Sequence, residues 1–171
     1  MKEIKNPDFF TIDTVSLAQN LIGKWIETNI NGKKVRAQIS ETEAYLGVDD
    51  SACHTYKGKR TSRTESMWED GGTIYIYLCY GLHYLLNIVS KKAGEPEAVL
   101  IRAVTNANGP AKTTKLLNID KTLNGQTIIN NKNIRLLDDG NVYKCYKDKR
   151  IGINYALKKD RDAKLRFILQ M

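Results

Sequence analysis

Cysteine is scarce in this sequence, and so is every arrangement that would give it a structural role. Only three occur, Cys53, Cys79 and Cys145, far apart and odd in number. No CxxC or Cys/His spacing is present, so neither a disulfide framework nor a zinc site is supported. Such usage suits a reducing compartment and predicts a cytoplasmic protein. The only histidines are His54 and His83, and with no partner motif beside His54 no metal is expected. No apolar run approaches the roughly 20 residues that span a bilayer. Met1-Lys-Glu-Ile-Lys leads into no signal-peptide core. A soluble chain with no membrane partner is expected.

What is present is ordinary in amount and biased in charge. The 171 residues suit one domain over 1–171, and a domain of that length buries roughly 70% of its unfolded surface. A 42% hydrophobic content excludes wholesale disorder. Lysine and arginine number 27 against 19 acidic residues, a formal charge of +8. That surplus favours a polyanionic partner, nucleic acid or an anionic surface.

Apolar periodicity predicts a helix over Thr14–Ile22, capped by Asp13 or Thr14 and closed by Gly23. Lys24–Ile30 and Lys33–Tyr45 read as strands joined at Asn31-Gly32, a dipeptide suited to a type I′ hairpin. Residues 46–71 are polar, basic and Gly-containing, an exposed excursion of a length that tends to be functional. Thr73–Cys79, Tyr84–Ser90 and Ala98–Val104 read as further strands, and Gly109-Pro110 opens a short helix to Leu117. Strand-like pieces follow at Gln126–Asn130, Ile134–Leu137, Arg150–Tyr155 and Leu165–Leu169. The expected class is α+β, a largely antiparallel curved sheet with flanking helices.

Alternation along Lys33–Tyr45 raises a chemical question. Val35, Ala37 and Ile39 share one face, and continuing the count adds Glu41, Glu43 and Tyr45 to that apolar row. Carboxylates there are costly unless paired, hydrated or used in chemistry. The plain alternative is that the strand surfaces or bulges after Ser40, leaving both glutamates exposed. A structural ion pair is a third reading. Tyr75 and Tyr77 share a strand face as packing residues do, whereas Tyr80 precedes Gly81 at a turn, where a ring could project and act as a wedge between bases. Lys57, Lys59, Arg60 and Arg63 stand among Thr55, Thr61, Ser62 and Thr64 in the excursion. That mixture suits phosphate contacts or, more plainly, a solvated loop.

Seven segments then stand in a recognisable order. They are Glu41-Thr-Glu-Ala-Tyr-Leu-Gly47 with His54, Gly72-Thr-Ile-Tyr-Ile-Tyr-Leu-Cys-Tyr-Gly81, Asn87, Val99-Leu-Ile-Arg-Ala103, Gly109-Pro-Ala-Lys112, Arg150-Ile-Gly-Ile153 and Leu165-Arg-Phe167. Together they closely resemble the alkyladenine, or methylpurine, DNA glycosylase family, from near residue 9 to the end. The resemblance implies a compact mixed domain that flips a damaged purine out of duplex DNA. It implies Glu43 as the base that activates a water, with Arg102 and the Ile153 carbonyl helping to hold that water. Tyr45 would stack on one face of the flipped base, with His54 and Tyr77 on the other, and Asn87 would crowd the 2-amino group of normal guanine. Tyr80 would fill the vacated stack, while Lys59, Thr61 and Arg63 would touch phosphates. A monomer without a cofactor is expected. Departures lie at Lys59, where arginine is common, at Leu82 and His83 beside the wedge, and in the short stretch after residue 118.

Excision of alkylated or deaminated purines, 3-methyladenine first with hypoxanthine and ethenoadenine as further candidates, is the expectation. A carboxylate base contributes roughly 10²–10⁴-fold to such a step. Three rivals remain at this level. A carbohydrate hydrolase would pair Glu41 with Glu43, although the two lie only ~7 Å apart on one strand and such pairs usually flank the substrate from separate elements. A non-catalytic nucleic-acid module would leave the glutamates idle. A lyase would use a lysine Schiff base.

Overall fold

The computed structural model describes residues 1–171. Its helices are α1 (Thr14–Leu21), α2 (Pro110–Leu116) and α3 (Lys158–Asp162). The strands are β1 (Lys2–Glu3), β2 (Trp25–Ile30), β3 (Lys33–Tyr45), β4 (Ile74–Cys79), β5 (His83–Val89), β6 (Ala98–Val104), β7 (Ala107–Asn108), β8 (Ile134–Asp138), β9 (Cys145–Asp148) and β10 (Arg166–Leu169). They form one curved sheet, ordered β1-β8-β2-β3-β6-β5-β4, with β10 joining β3 to β9 and β7 beside β6. Every pairing is antiparallel, as the α+β reading requires. No helix is long and apolar enough to cross a membrane.

Local chemistry accounts for the best-read elements. The Asp13 carboxylate accepts the Ser16 N–H at 2.9 Å and starts α1, which buries Leu17, Ala18 and Leu21. Asn31 and Gly32 take φ of 52° and 76°, closing a two-residue hairpin between Ile30 and Lys33. The excursion forms short 3-10 turns at Gly47–Asp49, Tyr56–Gly58 and Glu65–Trp68 and no strand.

Three segments depart from the sequence reading. Gln126–Asn130 contributes only an isolated bridge, Thr73 to Thr127, because the side chains of Gln126, Thr127 and Asn131 bond to the local backbone instead. Arg150–Tyr155 is not a strand. The Ile151 N–H goes to a carboxylate of β3 and the Ile153 carbonyl accepts the Ala156 N–H, so no ladder forms. Conversely, Cys145–Asp148 is a strand with no apolar alternation to announce it, a largely exposed edge paired with β10 alone.

The decisive feature is a bulge. Between Ile39 and Thr42 the β3–β6 register slips twice, with Ile39 opposite Val104, Glu41 opposite Ala103 and Thr42 opposite Ile101. Side-chain parity reverses there. Ala37 and Ile39 belong to the main core under α1, and beyond the bulge it is Thr42 and Ala44 that face it. The Thr42 hydroxyl donates to the Ala18 carbonyl of α1 at 2.8 Å. Glu41, Glu43 and Tyr45 therefore do not continue the apolar row, as uninterrupted alternation predicted. They lie on the opposite face, and the bulge does not expose them, because the excursion and the segment 150–157 cover that face.

Candidate active site

The covered face encloses a cavity of about 490 Å³, within the ~300–1,000 Å³ of small-molecule sites. Apart from Leu78 near the end of β4, each central strand contributes residues of one parity. From β3 come Glu43 and Tyr45, from β4 Tyr75 and Tyr77, from β5 Leu85 and Asn87, and from β6 Ala98, Leu100 and Arg102. The excursion adds His54 and Arg63, and the segment after β9 adds Ile151, Gly152, Ile153 and Tyr155. Of the residues singled out from sequence, Glu43, Tyr45, His54, Arg63, Tyr77, Tyr80, Asn87, Arg102 and Ile153 meet here. Lys59 and Thr61 do not line the cavity and stand exposed on the excursion.

Glu43 is 1% exposed and is held by three donors. The Tyr45 hydroxyl donates to Oε2 at 2.7 Å, while Arg102 Nε and the Ile151 N–H donate to Oε1 at 3.1 and 3.0 Å. Burial raises its pKa, and the Tyr45 and Ile151 hydrogen bonds and the charges of Arg102 and Arg150 only partly offset that. The result is a carboxylate more basic than usual whose Oε2 keeps a free lone pair.

Aromatic rings wall the space above it. His54 and Tyr77 meet edge to face, centroids 4.5 Å apart and planes at 81°, so a planar guest lying flat on one meets the other's edge. Tyr75, 1% exposed, places its hydroxyl 2.9 Å from His54 Nδ1. Burial, with the charges of Arg63 and Lys59, lowers the His54 pKa to about 4, which keeps the ring neutral at pH 7. The Asn87 amide nitrogen donates to the Tyr75 carbonyl at 3.2 Å, fixing that side chain at the cavity wall.

Arg150 supports the opposite wall. Its guanidinium lies 4.8 Å from the Tyr45 ring centroid and grips both oxygens of Asp50 at 2.5 and 3.0 Å, with a further bond to the Ala44 carbonyl. Both partners of this pair are buried. Arg63 lies 5.3 Å from the Tyr77 ring centroid, so this cation is engaged with the cavity wall as well as facing solvent.

Tyr80 stands at the rim, 91% exposed, in the three-residue loop between β4 and β5. It adopts φ +52°, followed by Gly81 at +65°. A bulky residue in the left-handed region is uncommon and clusters at functional sites. Leu82 beside it is 74% exposed, so the loop tip presents two bare apolar side chains.

Sequence reasoning missed several participants. The Ile151 N–H and the Tyr75 partnership with His54 carry no local signal. Asp50 and Arg150 are separated by 100 positions, and only folding shows that they meet. Arg150 did stand inside a matching segment, which marked it without explaining it.

Comparison with known proteins agrees with this geometry. The family profile described as methylpurine-DNA glycosylase matches residues 8–106 and 105–171. A protein of Borrelia garinii subsp. bavariensis named "Putative 3-methyladenine DNA glycosylase" is 42% identical, over 95% of this chain and 94% of its own length. Relatives of the same name from Natranaerobius thermophilus and Clostridium perfringens are 41% and 37% identical, over 87% and 95% of this chain and 87% and 94% of their own lengths. The chain belongs to the methylpurine-DNA glycosylase family, DNA glycosylases that hydrolyse N-glycosidic bonds.

Proposed function

We propose that this glycosylase excises alkylated purines, 3-methyladenine foremost, from double-stranded DNA, acting as a monofunctional enzyme, a cytoplasmic monomer and without a cofactor. The observation that carries the reading is Glu43, a buried carboxylate of raised basicity that lines an aromatic cavity. A water on Oε2 is deprotonated as it attacks C1′, and the negative charge steadies the developing oxocarbenium ion. Arg102 holds Glu43 from one side. The Ile153 carbonyl, though it already accepts the Ala156 N–H, has a second lone pair for the same water.

Flipping costs a few kcal/mol and is cheapest for damaged or mispaired bases. Stacking returns about 1–3 kcal/mol per base. Tyr45 takes one face of the purine, Tyr77 and His54 enclose the other, and Asn87 meets the exocyclic group that distinguishes guanine. Tyr80, projecting from its strained turn, occupies the gap in the duplex. Lys59, Thr61 and Arg63 reach phosphates, and the +8 charge supplies salt-sensitive affinity for the duplex.

His54 bears on lesion range. Neutral above about pH 4, it offers no readily transferred proton at neutral pH. The reading therefore favours lesions whose base already carries positive charge over hypoxanthine and ethenoadenine, which need protonation to leave. Duplex DNA with a single alkylated purine should release the free base while its strand stays intact until alkali treatment. Glu43→Gln should bind the duplex and release at least about 100-fold more slowly, and borohydride should trap no adduct. Release at the parent rate by Glu43→Gln overturns the assignment. Strand cleavage without alkali, or a trapped adduct, would reveal a lyase.

A further inference from the structure

Glu41 lies on the same side of β3 as Glu43 but does not line the cavity. Its Oε2 accepts from Arg102 Nη1 at 3.4 Å and from Arg166 Nη1 at 3.1 Å. Arg166, on β10, is the cross-strand partner of Glu43 in the backbone register. Its Nη2 reaches Asp148 Oδ2 at 3.1 Å, and its Nε donates to the Lys149 carbonyl at 2.8 Å. With Arg102 Nε on Glu43, the side chains form one row of alternating charge: Glu43, Arg102, Glu41, Arg166, Asp148. The row runs from a buried carboxylate to a half-exposed one.

Its inner part is out of bulk water, where charges interact strongly. Arg102 is shared between two carboxylates, and its guanidinium has donors enough to grip either with two parallel bonds. Glu41 keeps it from closing bidentately on Glu43, and Arg166 keeps Glu41 from drawing it away. The other elements packed on Glu43 contribute the Tyr45 hydroxyl and Ile151 N–H as donors and Arg150, paired with Asp50, as a cation. Tyr77 and Tyr155 contribute phenols held neutral by burial. No hydrogen bond or ion pair joins any of these to the side chain of Glu41 or Arg166.

We propose that Glu41 and Arg166 are positioning residues of the glycosylase reaction, fixing through Arg102 how a cation meets Glu43 and so setting the pH at which that carboxylate acts as base. The inference rests on Glu43 being the base. An ion-pair row that merely ties β10 to the sheet predicts loss of stability on mutation, with no ordered change in pH dependence.

The test is single-turnover excision of a positively charged alkylated purine, which needs no acid, measured across pH with enzyme in excess. Arg166→Gln frees Glu41 to pull on Arg102, so the acid limb should move up by on the order of one pH unit. Glu41→Gln leaves the whole Arg102 charge to Glu43, so the limb should move down by a similar amount and the plateau rate should fall. Asp148→Asn, at the half-exposed end and harmless to the fold, should move the limb down by less, and it serves even if Arg166→Gln does not fold. Arg166→Lys, which keeps the charge, should bring the limb back toward the parent. Limbs that stay in place, or that all move one way, overturn the proposal whatever happens to the melting temperature. If Glu43→Gln excises at the parent rate, the underlying reading fails instead; if it is inactive and the limbs stay in place, only this inference fails.

Discussion

Along Val35–Ile39 the odd-numbered residues of β3 face the main core, while beyond the bulge the odd-numbered Glu43 and Tyr45 face the cavity. The first stretch is built as a soluble sheet usually is, with Ala37 and Ile39 buried and Arg36 outside. The second places a charged and an aromatic side chain on a covered face and leaves the core to Thr42 and Ala44. One bulge separates them. It lets a single strand satisfy the hydrophobic core, deliver Glu43 to the cavity and set Glu41 among cations beside it, without burying either carboxylate in the oil of the core. Arg102 stands at the same slip on β6, so the cation reaches the carboxylates through the irregularity that turned them round.

The largest test of this contrast is to put a carboxylate on the other side of the bulge. Thr42→Glu would turn one toward α1 and into the main core, where Thr42 now donates to the Ala18 carbonyl. A loss of at least ~3–5 kcal/mol is expected, the scale of a buried charge stripped of its partners. Urea unfolding should show a collapsed or absent transition.

A pair of substitutions then separates the two faces. Ile101→Ala, on the core face of β6, should cost about 2–5 kcal/mol in urea unfolding and leave excision by the folded enzyme near the parent rate. Glu43→Gln should reverse that pattern and abolish excision without loss of stability at pH 7. The sign follows from burial. A folded pKa raised above the unfolded value makes the parent lose stability as pH climbs from the ordinary carboxyl range through the raised value. Thermal melts across that range should show the loss in the parent and not in the glutamine variant.

The cavity face also carries a titration of opposite sense. His54 has a folded pKa of about 4 against an ordinary value of 6.5. The stability tied to neutral His54 is therefore present above pH 6.5 and lost as pH falls toward 4. His54→Gln should flatten that part of the melting profile. The smallest effect on stability belongs to the rim, where Tyr80→Ala should change unfolding by no more than about 0.5 kcal/mol while slowing excision from duplex DNA. Stopped-flow fluorescence of a base analogue beside the lesion would register the loss as impaired flipping.

Much of this was legible in the chain because it depends on neighbours in sequence. The Asn31-Gly32 hairpin, the α1 cap at Asp13 and the Pro110 helix start are decisions of a few residues, and the structure keeps all three. The motif segments likewise identified the wall residues, since Glu43, Tyr45, His54, Tyr77, Asn87 and Arg102 line one cavity. Alternation failed at one place, between Ser40 and Thr42, because a bulge adds a residue without leaving a compositional mark. It failed again at Arg150–Tyr155, where apolar residues suggested a strand but the backbone groups bond to a carboxylate and to a turn.

By itself the sequence determined the class of the fold, the positive charge offered to DNA and the identity of the residues available for chemistry, since these follow from composition and short-range pattern. Tertiary structure alone decided which face those residues share, that Arg150 meets Asp50 behind Tyr45, and that Glu41 belongs to a row of charges rather than to the cavity. The physical reason is that a carboxylate's basicity depends on its burial and on cations brought to it from distant strands, and those contacts exist only once the sheet has closed around them.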